Sequence, residues 1–325
     1  MSKKLYIIGN GFDIHHGLDT KYSSFGKYLE AQNLELYELV TSYIGFPNED
    51  DDLWYRFETN LANLDVDEIL SLETDLLPNI ASDDFRDRDR YNFEHAMEEH
   101  LEKLTKVLRQ EFRNFIEAAK IPDDAIEKKI ELDNKAQFLN FNYTDTLQHI
   151  YQVDSSNITY IHNAASDQTT QIILGHGINP KEFERTAPVP PQGLTEEELY
   201  EWMQDQSDNY DHSYDLGEQM IRGYFSSAFK NTAEIIENNR PFFNSLANVE
   251  QVTVLGHSIS EVDIKYFVEV VAIAPHSIWS VSYFSDSDKQ RITDTFQTLG
   301  IAPNKITLFK IADKALNNIQ GKLSL

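Results

Sequence analysis

The sequence contains no cysteine, and that absence removes a good deal of chemistry at once. Disulfides, a thiolate nucleophile, iron–sulfur clusters and any cysteine-built zinc site are all excluded. Positive charge is scarce as well: 28 Lys and Arg stand against 54 Asp and Glu in 325 residues, a formal charge of −26. Counterion release drives nucleic-acid binding and needs a basic surface, so nucleic acid is not expected as a partner. Long apolar runs are missing too. The first one, from Leu5 to Gly9, is too short for a signal-peptide core, and no stretch approaches the roughly 18 apolar residues of a membrane span. A cytoplasmic protein without a membrane partner is the expectation. No Gly-x-x-x-x-Gly-Lys-Ser/Thr occurs, which excludes a P-loop. His15 and His16 are adjacent and His95 and His100 are five apart, so neither pair shares a helix face and no metal is expected.

What is present patterns as alternating strands and helices. Lys4-Leu-Tyr-Ile-Ile8 ends at Gly9-Asn-Gly11, as a buried parallel strand does when it turns into a helix. Further strands are expected at 137–142, 158–162, 171–174, 252–255, 278–284 and 305–310. An amphipathic helix with Phe25, Leu29 and Leu36 on one face is expected to run to about Leu36. Residues 93–119 carry Phe93, Met97, Leu101, Leu104, Leu108, Phe112 and Phe115 at steps of three and four, a long amphipathic helix. A charged turn is expected at residues 49–52, and Thr195 with Glu198 spells a capping box. The pattern predicts a single α/β domain over 1–325, doubly wound and mainly parallel (Rossmann-like). It carries one helical insertion or layer over 45–133 and a second over 180–245 that could act as a lid. Phe and Leu stripes on the helices could support a homo-oligomer.

Ligands of such sheets bind beyond the carboxyl ends of the strands, which directs attention to four clusters. Gly9, Asn10, Gly11, Phe12 and Asp13 could bring backbone N–H groups to a pyrophosphate, or could simply form a tight turn. Asn142 could hold a ribose hydroxyl or a water, or shape a turn. His162 could be a general base, or a packed histidine. Gly256-His-Ser258 with Asp263 resembles a nucleophile elbow, but Ser260 replaces its last glycine, so a serine hydrolase is disfavoured.

Taken in order, Ile7-Ile-Gly-Asn-Gly-Phe-Asp-Ile14, Thr20-Lys-Tyr22, Phe141-Asn-Tyr-Thr144, Tyr160-Ile-His162, Leu174-Gly-His-Gly177 and Gly256-His-Ser-Ile-Ser-Glu-Val-Asp263 resemble the AbiH-type bacteriophage abortive infection proteins. More distantly the order is similar to the sirtuin-type NAD-binding fold. That resemblance implies an antiphage effector, answering to a phage trigger, that binds NAD and hydrolyses its N-glycosidic bond to nicotinamide and ADP-ribose. The alternative it leaves is a non-catalytic nucleotide-binding sensor or partner-binding defence protein. By position, residues 9–13 would meet the phosphates and nicotinamide end, with Thr144 beside them. Asn142 would hold the nicotinamide ribose or a water, and His162 would be the base, with His176 as its rival. Gly256 and Ser258 would line the adenosine side, and Asp263 would cap the next helix or bind ribose. Two departures from the sirtuin pattern stand out. The four-cysteine zinc module is absent, which disfavours protein deacylation, and Asn163 stands where a glycine would follow the histidine.

Overall fold

The computed structural model describes residues 3–44, 53–54, 56–79, 82–186, 188–208 and 210–314. The charged turn expected at 49–52 lies outside them. Six strands, β1 (Lys4–Ile8), β2 (Gln137–Asn140), β3 (Ile158–Tyr160), β4 (Gln251–Leu255), β5 (Ile278–Ser282) and β6 (Ile306–Phe309), form one sheet. Its order is β3-β2-β1-β4-β5-β6 and every pairing is parallel. This is the doubly wound, Rossmann-like arrangement, with the order reversing beside β1.

Alternation along the strands decides the two faces. Leu5, Ile7, Leu139, Val252, Val254, Trp279 and Val281 pack against helices α11 (Thr232–Asn238), α12 (Arg240–Ser245), α13 (Ile264–Ile273) and α14 (Asp286–Thr298). Tyr6, Ile8, Phe138 and Leu255 face the other way, onto Phe12 of α1 (Asn10–His15) and Leu147 of α8 (Thr146–Tyr151). A third core is mainly helical. It joins Phe25, Leu29 and Leu36 of α2 (Tyr22–Gln32) and α3 (Leu34–Tyr43) with Ile69 and Leu70 of α5 (Val66–Leu72). Phe93 and Met97 of α6 (Asn92–Glu102), Phe112 of α7 (Leu108–Ala118) and Tyr224 of α10 (His212–Ser227) complete it. Of the two helical stretches anticipated from sequence, α5, α6, α7 and α10 thus share one core with α2 and α3, while α11 and α12 pack on the sheet.

Several local expectations change. The helix expected to run from Phe25 to Leu36 is two helices, because Asn33 leaves helical geometry and accepts the Leu36 N–H as cap of α3. Residues 93–119 do form one helical rod, yet Lys103–Val107 between α6 and α7 is a π-turn. The strand expected at 171–174 does not join the sheet. Ile172 and Leu174 are buried in the helical core instead, and only an isolated bridge from His176 to Phe229 follows. The capping box holds: Thr195 Oγ1 accepts the Glu198 N–H at 3.3 Å, and Glu198 accepts the Thr195 N–H at 2.8 Å. It opens α9 (Glu196–Asp208). None of the helices among the described residues is long and apolar enough to cross a membrane.

Candidate functional site

The polar side chains gather at the carboxyl ends of β1, β2, β3 and β4, as the topology requires. At the reversal point the two glycine turns close on each other. The Gly9 N–H donates to the Leu255 carbonyl at 2.9 Å, the Gly11 N–H to the Gly256 carbonyl at 2.8 Å, and the Phe12 N–H to the Gly9 carbonyl at 2.9 Å. Gly9, Gly11 and Phe12 therefore spend their amides inside the protein. Gly256 sits at φ +67°, and a Cβ on it would stand 2.1 Å from the Phe12 nitrogen. Gly256→Ala is accordingly expected to cost more than about 1–3 kcal/mol, the strain of a left-handed non-glycine residue before any clash is added. A urea melt of the variant checks this. Asn10 belongs to the same frame: its side chain donates to the Thr20 carbonyl at 2.9 Å and accepts from the Thr20 hydroxyl at 2.5 Å.

Beside this frame lies a first polar group. Asp13 is 1% exposed, and one of its oxygens, Oδ2, accepts from the Thr144 hydroxyl at 2.6 Å. The other, Oδ1, has no hydrogen-bond partner, and neither does the buried Asn142 Nδ2. Burial raises the Asp13 carboxyl to about 6, against the opposing pull of Thr144, Thr146 and Asn142. The sign for stability follows directly. A carboxyl whose folded pKa lies above its unfolded value stabilises the fold below about 4 and loses that contribution as pH rises through about 6. Asp13→Asn is thus expected to be more stable than the wild type at neutral pH by an amount on the order of 1–3 kcal/mol, the gain vanishing near pH 4. Denaturant melts at both pH values test it.

A second group surrounds Asp263. Lys230, whose side chain is wholly buried, donates to Asp263 Oδ1 at 3.0 Å and to Glu58 Oε2 at 2.6 Å. Glu58 sits on the one-turn helix α4 (Phe57–Asn60) and also accepts from the Tyr22 hydroxyl at 2.5 Å. On the other side of Asp263, His162 Nε2 lies 3.8 Å from Oδ1 and His257 Nε2 lies 3.7 Å from Oδ2. One carboxylate therefore stands between a lysine and two imidazoles.

The two histidines are not equivalent. His257 Nδ1 accepts the Ile259 N–H at 2.8 Å, so its neutral ring carries the proton on Nε2, toward Asp263. His162 is hydrogen-bonded to the Phe141 backbone, and its Nε2 is a buried nitrogen without a partner. Burial first, then Lys230, holds His162 well below the ordinary imidazole value; burial likewise brings His257 to about 4. Both rings are neutral at physiological pH. Burial would raise Asp263, but Lys230 overrides it and brings the carboxyl to about 2, while Glu58 is raised by its own burial despite the same lysine. Glu58 is thus the carboxyl that takes a proton first as pH falls.

The anticipated residues are placed unevenly. Asp13, Asn142 and Thr144 meet in one group, and His162 and Asp263 in the other. Asp263 is the residue before α13 but does not cap it with its side chain, which Lys230 and Ser260 engage instead. His176 is fully buried among Phe183, Phe225 and Phe229, and it reaches Lys230 through the backbone, where the Lys230 N–H donates to its carbonyl at 2.8 Å. Ser258 is exposed, its carbonyl accepting from the Arg291 guanidinium. Asn163 adopts φ +64°, the left-handed conformation of the glycine expected there, and asparagine tolerates it well. Its side chain donates to the Gln171 carbonyl at 2.7 Å. Sequence reasoning missed Glu58, Lys230, His257 and Tyr266, whose buried hydroxyl lacks a partner. Of these only His257 lay inside a motif. Among the described residues, no group of three or more His, Asp or Glu could hold a metal ion.

Comparison with known proteins adds one finding. The family model for bacteriophage abortive infection AbiH matches residues 5–283. No curated protein matches the chain.

Proposed function

Because the chain belongs to the bacteriophage abortive infection AbiH family, with the role in phage defence that the family carries, we propose that it acts there by binding NAD and hydrolysing the bond between nicotinamide and ribose. The observation that carries this reading is the set of buried polar atoms left without partners at three neighbouring strand ends. Asp13 Oδ1 follows β1, Asn142 Nδ2 follows β2 and His162 Nε2 follows β3. Buried groups of this kind are normally satisfied, so each exception calls for an explanation, and a bound ligand is the one this reading takes. The distant resemblance of the sequence to the sirtuin-type NAD-binding fold is the reason for taking NAD as that ligand.

In this reading the substrate ribose lies toward His162. Departure of neutral nicotinamide leaves an oxocarbenium-like carbon that needs a water more than a strong nucleophile. His162, neutral and with a free Nε2, is suited to take the proton from that water as the new C–O bond forms. The Asp263 carboxylate beside it stabilises the imidazolium that results. Asp13 and Asn142 hold the substrate, and the products are nicotinamide and ADP-ribose.

Incubation of the purified protein with NAD, with chromatography of nicotinamide and ADP-ribose, tests the proposal. Release of both in equal amounts supports it. Ligand-induced thermal stabilisation without release would replace it with a nucleotide sensor, and absence of both effects would remove NAD from the account.

A further inference from the structure

Helix α9 is laid down on the protein without being enclosed by it. None of residues 196–207 is buried. Leu199 and Trp202, three apart, are half-buried, while Tyr200 and Met203, also three apart, are 64% and 54% exposed. An amphipathic helix ordinarily hides such a stripe. Glu196 lies one turn before Tyr200 on the same face, and Glu197 and Glu201 border it. The surrounding sequence reinforces the sign: nine acidic residues and no Lys or Arg stand between Arg185 and Arg222. A surface that covers this face must therefore be apolar and basic. Phosphate backbones and anionic membranes do not qualify, because their charge has the same sign as the helix.

The chain itself carries such a surface. Directly after β5, Phe284 is 90% exposed beside the half-buried Tyr283. Lys289 of α14 and Lys310 after β6 each hold the ammonium 5.7 Å from the Tyr283 ring centre, and Lys314 holds its own 5.6 Å from that of Phe309. Among the described residues, none of these three lysines is in an ion pair. Asp288, on the same helix as Lys289, is engaged by Ser285 and Arg291 instead. An ammonium over a ring face keeps its outer side open to an anion. We infer that α9 of one molecule docks on the Tyr283–Phe284 surface of a second copy of this chain. Tyr200 and Met203 then cover Phe284, and Glu197 and Glu201 meet Lys289 and Lys310. The net charge of −26 on each copy opposes their approach, but physiological salt screens it beyond about 8 Å and leaves the pairs in direct contact. Each copy offers one surface of each kind, so the contact is made twice in a closed pair or passes on to further copies. The contact is independent of the NAD reading.

Sedimentation velocity of the purified full chain at physiological salt, from micromolar to hundreds of micromolar, is the test. The wild type is expected to associate as concentration rises. Phe284→Ser should weaken that association by at least about tenfold, the worth of burying one large apolar side chain. One chain carrying Glu197→Lys with Glu201→Lys, and another carrying Lys289→Glu with Lys310→Glu, should each stay monomeric, since like charges then meet across the contact. Mixed together, the two charge-reversed chains should associate again, because each offers what the other lacks. That recovery also shows that both are folded, α9 included. A wild type that stays monomeric at every concentration overturns the second copy as occupant, and α9 then awaits a basic protein of another kind. Association that neither charge-reversed chain disturbs overturns the two surfaces assigned. Neither result changes with the fate of NAD in the hydrolysis assay, so the two readings stand or fall separately.

Discussion

Lys230→Met is expected to destabilise the protein by about 3–5 kcal/mol, the cost of leaving buried charge without its partner. Lys230 is fully buried, and its ammonium is shared between Asp263 and Glu58. Desolvation alone would lower its pKa, but the two carboxylates raise it above its ordinary value, so it stays charged throughout the accessible range. Methionine fills a similar volume and removes only the charge. Asp263 and Glu58 would then face each other with no cation between them, and each would be driven to protonate. Their folded pKa values would rise above the unfolded ones, so the loss should be largest at neutral pH and shrink as pH falls. Urea denaturation at neutral and mildly acidic pH gives both numbers. Adding Glu58→Gln to Lys230→Met should recover part of the loss. A single variant as stable as the wild type at every pH would mean that the triad contributes nothing to the fold.

Under the proposed hydrolase reading, His162→Ala is expected to lower NAD turnover by roughly 10²–10⁴-fold, the usual contribution of a positioned general base. Its ring lies between Phe141 and Tyr143, with centroids 5.3 and 6.0 Å away, and Tyr266 at 5.9 Å closes a third side. Those contacts fix the direction of Nε2. His162→Gln keeps most of the volume and a polar end but cannot hold the proton, so it should lose turnover while retaining NAD binding. Loss of binding and turnover together in both variants would make His162 a packing residue. Turnover unchanged in His162→Ala would remove His162 from the role of base.

Much of the frame was legible in the sequence because parallel strands buried on both faces read as short apolar runs. Lys4–Ile8 is a strand over its whole expected length, and 252–255 and 137–140 fall within a residue or two of expectation. The strand ends were legible for the same reason: polar residues directly after such runs must sit at one edge of the sheet. The run Ile172-Ile173-Leu174 misled because burial against helices leaves the same apolar trace as burial in a sheet. Asn33 carried a signal, an asparagine three residues before Leu36, that the continuing apolar spacing overrode. Lys230 and Glu58 left none. They are 172 positions apart, Glu58 on the one-turn α4 and Lys230 between α10 and α11, and only the packing of the helical core onto the sheet brings them together. A motif can report neighbours along a chain; it cannot report a meeting of this kind.

The strand order also governs when the molecule can become whole. β1 lies between β2 and β4, and its last residue, Ile8, is in register with Leu255. At about 5–20 residues per second, a ribosome needs roughly 12–50 s to deliver the second partner after the first strand has emerged. Throughout that interval one edge of β1 stays open, Gly9 and Gly11 have no Gly256 to close upon, and Lys230 has no Asp263. The site is therefore the product of late synthesis: a chain interrupted before β4 holds the sequence of a first strand and a glycine turn, but not the charges that the finished fold encloses beside them.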